Sequence, residues 1–113
     1  MSDDPLESRI NKAVLDFTLG DSNKAEQALL QILEESGDNV NAYRALAEVL
    51  LEKRDLDGAE SACRSALKLN ENDLTSMVSL ARILVAKGDK EGAEKASADA
   101  RVLGWKDELA QDG

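Results

Sequence analysis

The amino-acid sequence predicts an all-α protein in which a pair of helices occurs three times. Apolar residues recur at helical spacing along most of the 113 residues, as in Ile10, Ala13, Val14 and Phe17. Turn-forming Gly, Asp and Asn residues interrupt this pattern at regular intervals. A shift of the sequence by 34 residues brings identical residues into register. A period of this length, with two helices in each unit, is typical of stacked helical hairpins.

Six helices follow from the apolar stripes and the breaks between them. Pro5 suits the first turn of the first helix, where proline is tolerated. Gly20, Gly37 and Gly88 stand where a left-handed residue ends a helix, and the neighbouring Asp or Asn can cap the next one. The predicted helices span about residues 5–19, 22–36, 40–53, 56–69, 74–87 and 90–103, with a short seventh piece around 105–111.

The stripes differ from helix to helix in the residues that form them. Those of the third, fourth and fifth helices are Tyr43, Leu46, Val49 and Leu50; Ala62, Cys63, Ala66, Leu67 and Leu69; and Met77, Leu80, Ala81 and Leu84. We expect Cys63 to be a small buried hydrophobic residue rather than a reactive thiol, because it lies on the apolar side of its helix.

Four columns of the repeat, all in the second helix of each pair or at its start, are identical in all three copies. They are Asp21, Asp55 and Asp89; Ala25, Ala59 and Ala93; Glu26, Glu60 and Glu94; and Ala28, Ala62 and Ala96. Alanine predicts a close approach of two helix backbones, since a larger side chain would force them apart at a cost of roughly 1–3 kcal/mol. The repeated aspartate is expected to open the second helix of each pair, where its carboxylate accepts amide protons and favours the helix dipole.

Composition and charge exclude several classes of protein. The 14 basic and 23 acidic residues give a net charge of −9, which argues against binding to nucleic acid. The absence of histidine excludes imidazole bases and histidine-ligated metals, and a single cysteine cannot form an internal disulfide. We therefore expect no enzyme activity, no cofactor and no metal. With no apolar span and no leader pattern, the sequence predicts an acidic cytoplasmic protein that does not insert into membranes.

The second and third copies resemble the tetratricopeptide repeat, whose pattern combines an aromatic residue, leucine, a small residue and spaced alanines. The second copy reads Tyr43-x-x-Leu46-Ala47-x-x-Leu50, then Ala59, Cys63 and Ala66; the third reads Met77-x-x-Leu80-Ala81-x-x-Leu84, then Ala93 and Ala100. The first copy matches only if the turn before Ala25 is one residue shorter.

The resemblance implies a right-handed superhelical solenoid that forms a single domain over residues 1–113. The three repeats would cover about residues 6–38, 39–72 and 73–105, followed by a short C-terminal cap over 105–113. We expect Trp105 and Leu109 to fold back over the alanine-rich last helix, because the final unit of a solenoid needs a cover.

The resemblance also implies a concave groove, lined by the first helix of each pair, that holds a peptide or helix of a partner protein. The residues expected to line it are Asn11, Leu15, Thr18, Asn41, Arg44, Glu48, Leu51, Thr75, Val78, Arg82 and Val85. Their apolar side chains and two arginines would complement an apolar stripe with some acidic groups. Alternatively, these are ordinary solvated helix faces.

Two functions remain open at this point. The first is a non-enzymatic interaction module, such as an adaptor, scaffold or assembly factor. The second is a structural protein that forms homo-oligomers through the ends of its solenoid. Some family members hold the acidic tail of a chaperone with Lys, Asn and Arg side chains. At the matching places this chain has Ala45, Thr75 and Ser79, which disfavours that role.

Overall fold

The structure, a computed structural model, describes residues 5–112, with side chains as far as Gln111. Within this range the chain forms six α-helices and no strand: α1 (Pro5–Thr18), α2 (Ser22–Glu35), α3 (Val40–Glu52), α4 (Leu56–Leu69), α5 (Leu74–Lys87) and α6 (Lys90–Asp112). The first five begin and end within one residue of the predicted positions. None of these helices is long and apolar enough to cross a bilayer. Residues 1–4 and 113 of the predicted domain lie outside the described residues.

The helices form three antiparallel hairpins that stack in chain order. Helix α1 packs on α2, α3 on α4 and α5 on α6, while α2–α3 and α4–α5 contacts join neighbouring hairpins. The first helices also touch one another, α1 with α3 and α3 with α5. They therefore form one continuous row, which is the surface that the sequence predicts to be a groove.

The alanines of the repeated column are buried inside this stack. Ala25 and Ala59 have no exposed surface and Ala93 is 5% exposed. Larger side chains such as Leu29 and Ile83 fill the remaining space of the core and are fully buried. The small residues let helix backbones approach one another, and the few large ones supply most of the buried apolar volume.

The repeated aspartates cap the second helix of every hairpin, as predicted. Their Oδ1 atoms accept hydrogen bonds from the backbone N–H groups three residues later, at 3.2 Å for Asp21, 3.0 Å for Asp55 and 2.9 Å for Asp89. At Gly58, a Cβ atom would lie only 2.5 Å from Oδ2 of Asp55, so glycine gives that carboxylate room. In each unit, one backbone amide that has no partner within the helix is thereby satisfied at the same place.

The turn inside each hairpin has the same length in all three units, so the shorter first turn expected from the sequence is wrong. The backbone N–H of each capping aspartate bonds to a carbonyl five residues earlier, at 2.8–2.9 Å. Buried Ala13 thus aligns with Ala47 and Ala81, each 34 residues apart. The apolar pattern misled the alignment because α1 also carries exposed apolar residues, such as Val14 and Leu15, beside its buried ones.

The expectation that Trp105 and Leu109 fold back as a cap is wrong. Helix α6 continues without interruption through Gly104, and Trp105 and Leu109 are 73% and 71% exposed. A glycine inside a helix costs only about 1 kcal/mol relative to alanine, which does not by itself stop the helix. Because Gly104 has no left-handed φ, the chain has no turn there that would reverse its direction.

We expect Ala59→Arg to abolish cooperative unfolding or to lower the free energy of unfolding by about 3–5 kcal/mol, since a charged side chain would enter the contact between packed helices. Urea unfolding followed by circular dichroism measures this change. The control is Ser61→Arg on the exposed face of the same helix, for which we expect a change within about 0.5 kcal/mol. Equal stability of the two variants would contradict the packing described above.

Candidate functional site

The row of first helices forms a depression near the carboxyl ends of α1, α3 and α5. Phe17, Leu51 and Ala86 give it an apolar part, and its volume is about 480 Å³. Glu48, Glu52, Arg54 and Arg82 complete the lining. Three of the residues predicted for the groove, Glu48, Leu51 and Arg82, are therefore brought together here.

The other groove residues predicted on α3 and α5 lie along the same row. Thr75, Val78 and Val85 are exposed on α5. Asn41 of α3 donates to Glu7 at 3.4 Å and accepts from Arg44 at 2.8 Å, so it links α3 to α1. This part of the surface is exposed and shallow rather than enclosed.

From α1, Phe17 lines the depression, whereas the predicted groove residues Asn11, Leu15 and Thr18 do not. In the register of the turns, Phe17 aligns with Leu51 and Val85, whereas Leu15 aligns with Val49 and Ile83. Leu15 is exposed, although both residues of its column are buried in α3 and α5. Asn11 is also exposed, and the Thr18 hydroxyl bonds to the Val14 carbonyl at 2.9 Å.

Sequence reasoning missed Phe17 as a groove residue. The triple match of Ala13, Ala47 and Ala81 would have found it, because this column fixes the register of α1 without any assumption about the turn. Apolar spacing alone could not, since two registers one residue apart both place apolar residues on the inner side of α1.

Arg44 has a structural role that the sequence did not indicate. Its Nε donates to Asp73 Oδ2 at 2.9 Å, and its Nη2 pairs with Oδ1 of the same carboxylate. Asp73 is also the N-cap of α5 and accepts the backbone N–H of Ser76 at 3.2 Å. The carboxylate is 4% exposed and joins α3 to the start of α5.

The hydrogen bonds keep Asp73 ionised. Burial raises the pKa of this carboxyl, but the bonds from Arg44 and Ser76 outweigh burial, so the pKa lies below its ordinary value. The same pairing raises the pKa of Arg44. Arg44 is consequently neutralised by a neighbour within the fold and is not a free cation for a ligand.

Glu48 organises the polar part of the groove. Its Oε1 accepts the Ser79 hydroxyl at 2.8 Å and lies 3.4 Å from Nη1 of Arg82. Arg82 keeps 58% of its side chain exposed. At that exposure its attraction to Glu48 is weak, so its guanidinium can turn towards a ligand carboxylate.

Cys63 is buried in the core, as predicted. Burial raises the pKa of its thiol to about 12, with the charges of Glu48 and Asp73 acting in the same direction. A thiol with this pKa stays protonated at neutral pH and is a poor nucleophile.

The comparisons with known proteins agree with this architecture. The chain belongs to the tetratricopeptide-repeat family, whose pattern matches residues 10–73. No curated protein sequence matches it at a significant level.

Solved structures with the same fold include several tetratricopeptide domains. The second such domain of Spaghetti (RPAP3), bound to the HSP90 peptide SRMEEVD, is similar with a TM-score of 0.83 and 16% identity, over 87% of this chain and 91% of that one. The Yersinia enterocolitica type III secretion translocator chaperone SycD, in an alternative dimer, gives 0.85 and 18%, over 90% and 77% of the two chains. SycD in complex with a peptide of the translocator YopD gives 0.85 and 18%, over 90% and 78%. The TM-scores establish a shared fold, and at identities this low the similarity shows nothing beyond the fold.

We expect Arg44→Met to lower the free energy of unfolding by about 1–3 kcal/mol at neutral pH, because it leaves the buried Asp73 carboxylate without its cation. The pKa of Asp73 is lowered in the folded state. The stabilisation is therefore complete above the ordinary carboxyl pKa of about 4 and is lost as pH falls through the lower folded value.

The difference between Arg44→Met and the unmodified protein should thus shrink in acid. Urea unfolding at neutral pH and near pH 3 measures it. Arg82→Met is the control, since the one ion pair that Arg82 makes within the described residues is long and exposed, and it should change stability by less than about 0.5 kcal/mol. A difference that persists in acid would show that the ion pair is not its cause.

Proposed function

We propose that the protein is a non-enzymatic interaction module that holds a peptide or amphipathic helix of a partner protein against α1, α3 and α5. The observation that carries this proposal is the depression that joins Phe17, Leu51 and Ala86 to the exposed guanidinium of Arg82. An apolar floor with the exposed cations Arg54 and Arg82 at its rim suits a ligand with apolar side chains and an acidic group.

The similar structures support peptide binding as the kind of function proposed. The Spaghetti domain and SycD both have peptides bound in the structures named above. The thiol chemistry of Cys63 adds nothing that would favour an enzyme, since burial raises its pKa to about 12. We therefore assign the protein an adaptor or assembly role, with its partner recognised by shape and by charge contacts at the rim of the depression.

The groove is expected to contact the partner directly. A photoreactive benzoylphenylalanine at Val78, on the exposed side of α5, should form a cross-link to one partner protein in native cell extract, identified by mass spectrometry. The same group at Leu30, an exposed position of α2, should form no cross-link to that protein. The double variant Val78→Glu with Arg82→Glu should remove most binding of that partner, because it adds two carboxylates to the groove and removes one guanidinium.

A charge-matched control separates the groove from overall acidity. Leu30→Glu with Lys68→Glu makes the same change in net charge on exposed positions of α2 and α4. We expect it to retain partner binding. If Leu30 captures the partner and Val78 does not, the binding surface is formed by the second helices and the groove proposal fails.

The HSP90 peptide SRMEEVD, which the Spaghetti domain binds, should bind this chain only weakly, with a Kd above about 1 mM. Clustered carboxylates need clustered free cations. Here Asp73 neutralises Arg44. Of the two exposed arginines that line the depression, Arg54 and Arg82, the second stands beside Glu48. Fluorescence anisotropy of the labelled peptide measures this, and saturable binding at micromolar concentration would contradict it.

A further inference from the structure

A second concave surface lies between α5 and α6. It is a depression of about 360 Å³ lined by Val85, Ala93, Ser97 and other residues of both helices. The corresponding surfaces of the first two hairpins are covered by α3 and by α5, whereas within the described residues nothing covers this one.

The two covered surfaces contact their covering helices, α3 and α5, through the same kind of ion pair. Lys53 at the end of α3 bonds to Glu26 of α2 at 2.6 Å, and Lys87 at the end of α5 bonds to Glu60 of α4 at 2.7 Å. Both pairs are separated by 27 residues. The invariant glutamate column therefore receives a lysine from the helix that covers it.

The covering helices also share their buried positions. Helix α3 presents Ala42, Val49 and Lys53, and α5 presents Ser76, Ile83 and Lys87. In both, a small residue, a β-branched residue and a lysine stand at i, i+7 and i+11, on one helix face. The small and β-branched residues of both helices are almost completely buried.

The α5–α6 surface has the acidic residues of this arrangement, but within the described residues no covering helix supplies the lysine. Glu94 is the third member of the glutamate column, and Glu91 stands 34 residues after Asp57, which also bonds Lys87 at 2.7 Å. Neither the Glu91 nor the Glu94 side chain has a hydrogen bond or ion pair in the described part of the chain. Lys90 and Arg101 also line the depression but pair with neither carboxylate. Two carboxylates thus flank the place where a lysine would arrive.

The residues of this surface fit a partner that binds reversibly. Ser97 and Arg101 take the positions of Cys63 and Leu67 in the preceding hairpin. Cys63 is permanently buried, whereas the polar Ser97 and Arg101 tolerate water when the surface is free.

We infer that the α5–α6 surface binds an amphipathic helix of a different protein, with a small residue, Val or Ile, and Lys at i, i+7 and i+11. The lysine pairs with Glu91 and Glu94, and the β-branched side chain enters the depression beside Val85 and Ala93. This surface lies outside the α1–α3–α5 depression, so the inference does not depend on the proposed function.

A second copy of the chain fits this surface poorly. At the positions of Ala42, Val49 and Lys53, α1 carries Ser8, Leu15 and Leu19. If α1 of another molecule covered the surface, Leu19 would face Glu94 and remove water from a carboxylate that gains no partner. The missing lysine therefore selects against end-to-end stacking of copies.

A peptide with the pattern provides the test. The probe is a fluorescein-labelled, side-chain-stapled helix with the sequence of residues 39–54, which contains Ala42, Val49 and Lys53. We expect saturable binding to the full chain by anisotropy. Glu94→Lys should weaken it about three- to tenfold, because an attraction becomes a repulsion at a partly exposed pair.

Charge exchange makes the test specific. The peptide with Lys53→Glu should bind the unmodified chain three- to tenfold more weakly, and should regain most of that affinity with Glu94→Lys. Glu34→Lys, an equal charge change on exposed α2, should leave the affinity of the original peptide unchanged. Absence of saturable binding, or affinity independent of the charge at position 94, would overturn the inference.

Two further measurements decide between surfaces and occupants. Amide shifts on peptide addition should change most at Val85 and Ala93; changes centred on Phe17 and Leu51 would place the peptide in the groove and overturn the inference. Sedimentation of the free chain should show a monomer at all concentrations. A dimer that Glu94→Lys abolishes would assign the surface to a second copy instead.

Discussion

Close approach of neighbouring helices at alanine is the contact on which the rest of this structure depends. Ala13, Ala47 and Ala81 occupy it in the first helices, and Ala25, Ala59 and Ala93 lie in the second helices. Because methyl groups fill so little volume, each hairpin has a thin core and relies on its neighbours for cover. The stack therefore behaves as a row of interdependent units, and any surface at its end resembles an internal contact whose partner is missing.

Charged side chains repeat with the same period and join the hairpins. Lys53 with Glu26 and Lys87 with Glu60 connect successive units, and hydrogen bonds from Lys87 and then Arg64 lower the pKa of Glu60. Each exposed pair contributes little energy, but its geometry fixes how one helix sits on another. In a chain of net charge −9, these lysines are placed where they bridge units.

Two surfaces with different chemistry result from this arrangement. The depression of α1, α3 and α5 combines apolar Phe17 and Leu51 with the guanidinium of Arg82, and suits a ligand with an acidic group. The α5–α6 surface carries Glu91 and Glu94, whose side chains have no partner among the described residues, and we propose that it binds a ligand with a lysine. If both proposals hold, opposite charge requirements distinguish the two partners.

The sequence alone determined the helices, the period, the buried alanines and the aspartate caps, because each depends on residues close in the chain or on exact repetition. The tertiary structure decided the rest. The ion pair of Arg44 with Asp73 spans 29 residues, and nothing in either residue's local pattern indicates it. The register of α1 followed from turn hydrogen bonds that apolar spacing cannot show. Helix α6 continues through Gly104 because the cost of glycine inside a helix is small and the chain makes no turn there. The spacing of residues in the sequence cannot show either fact.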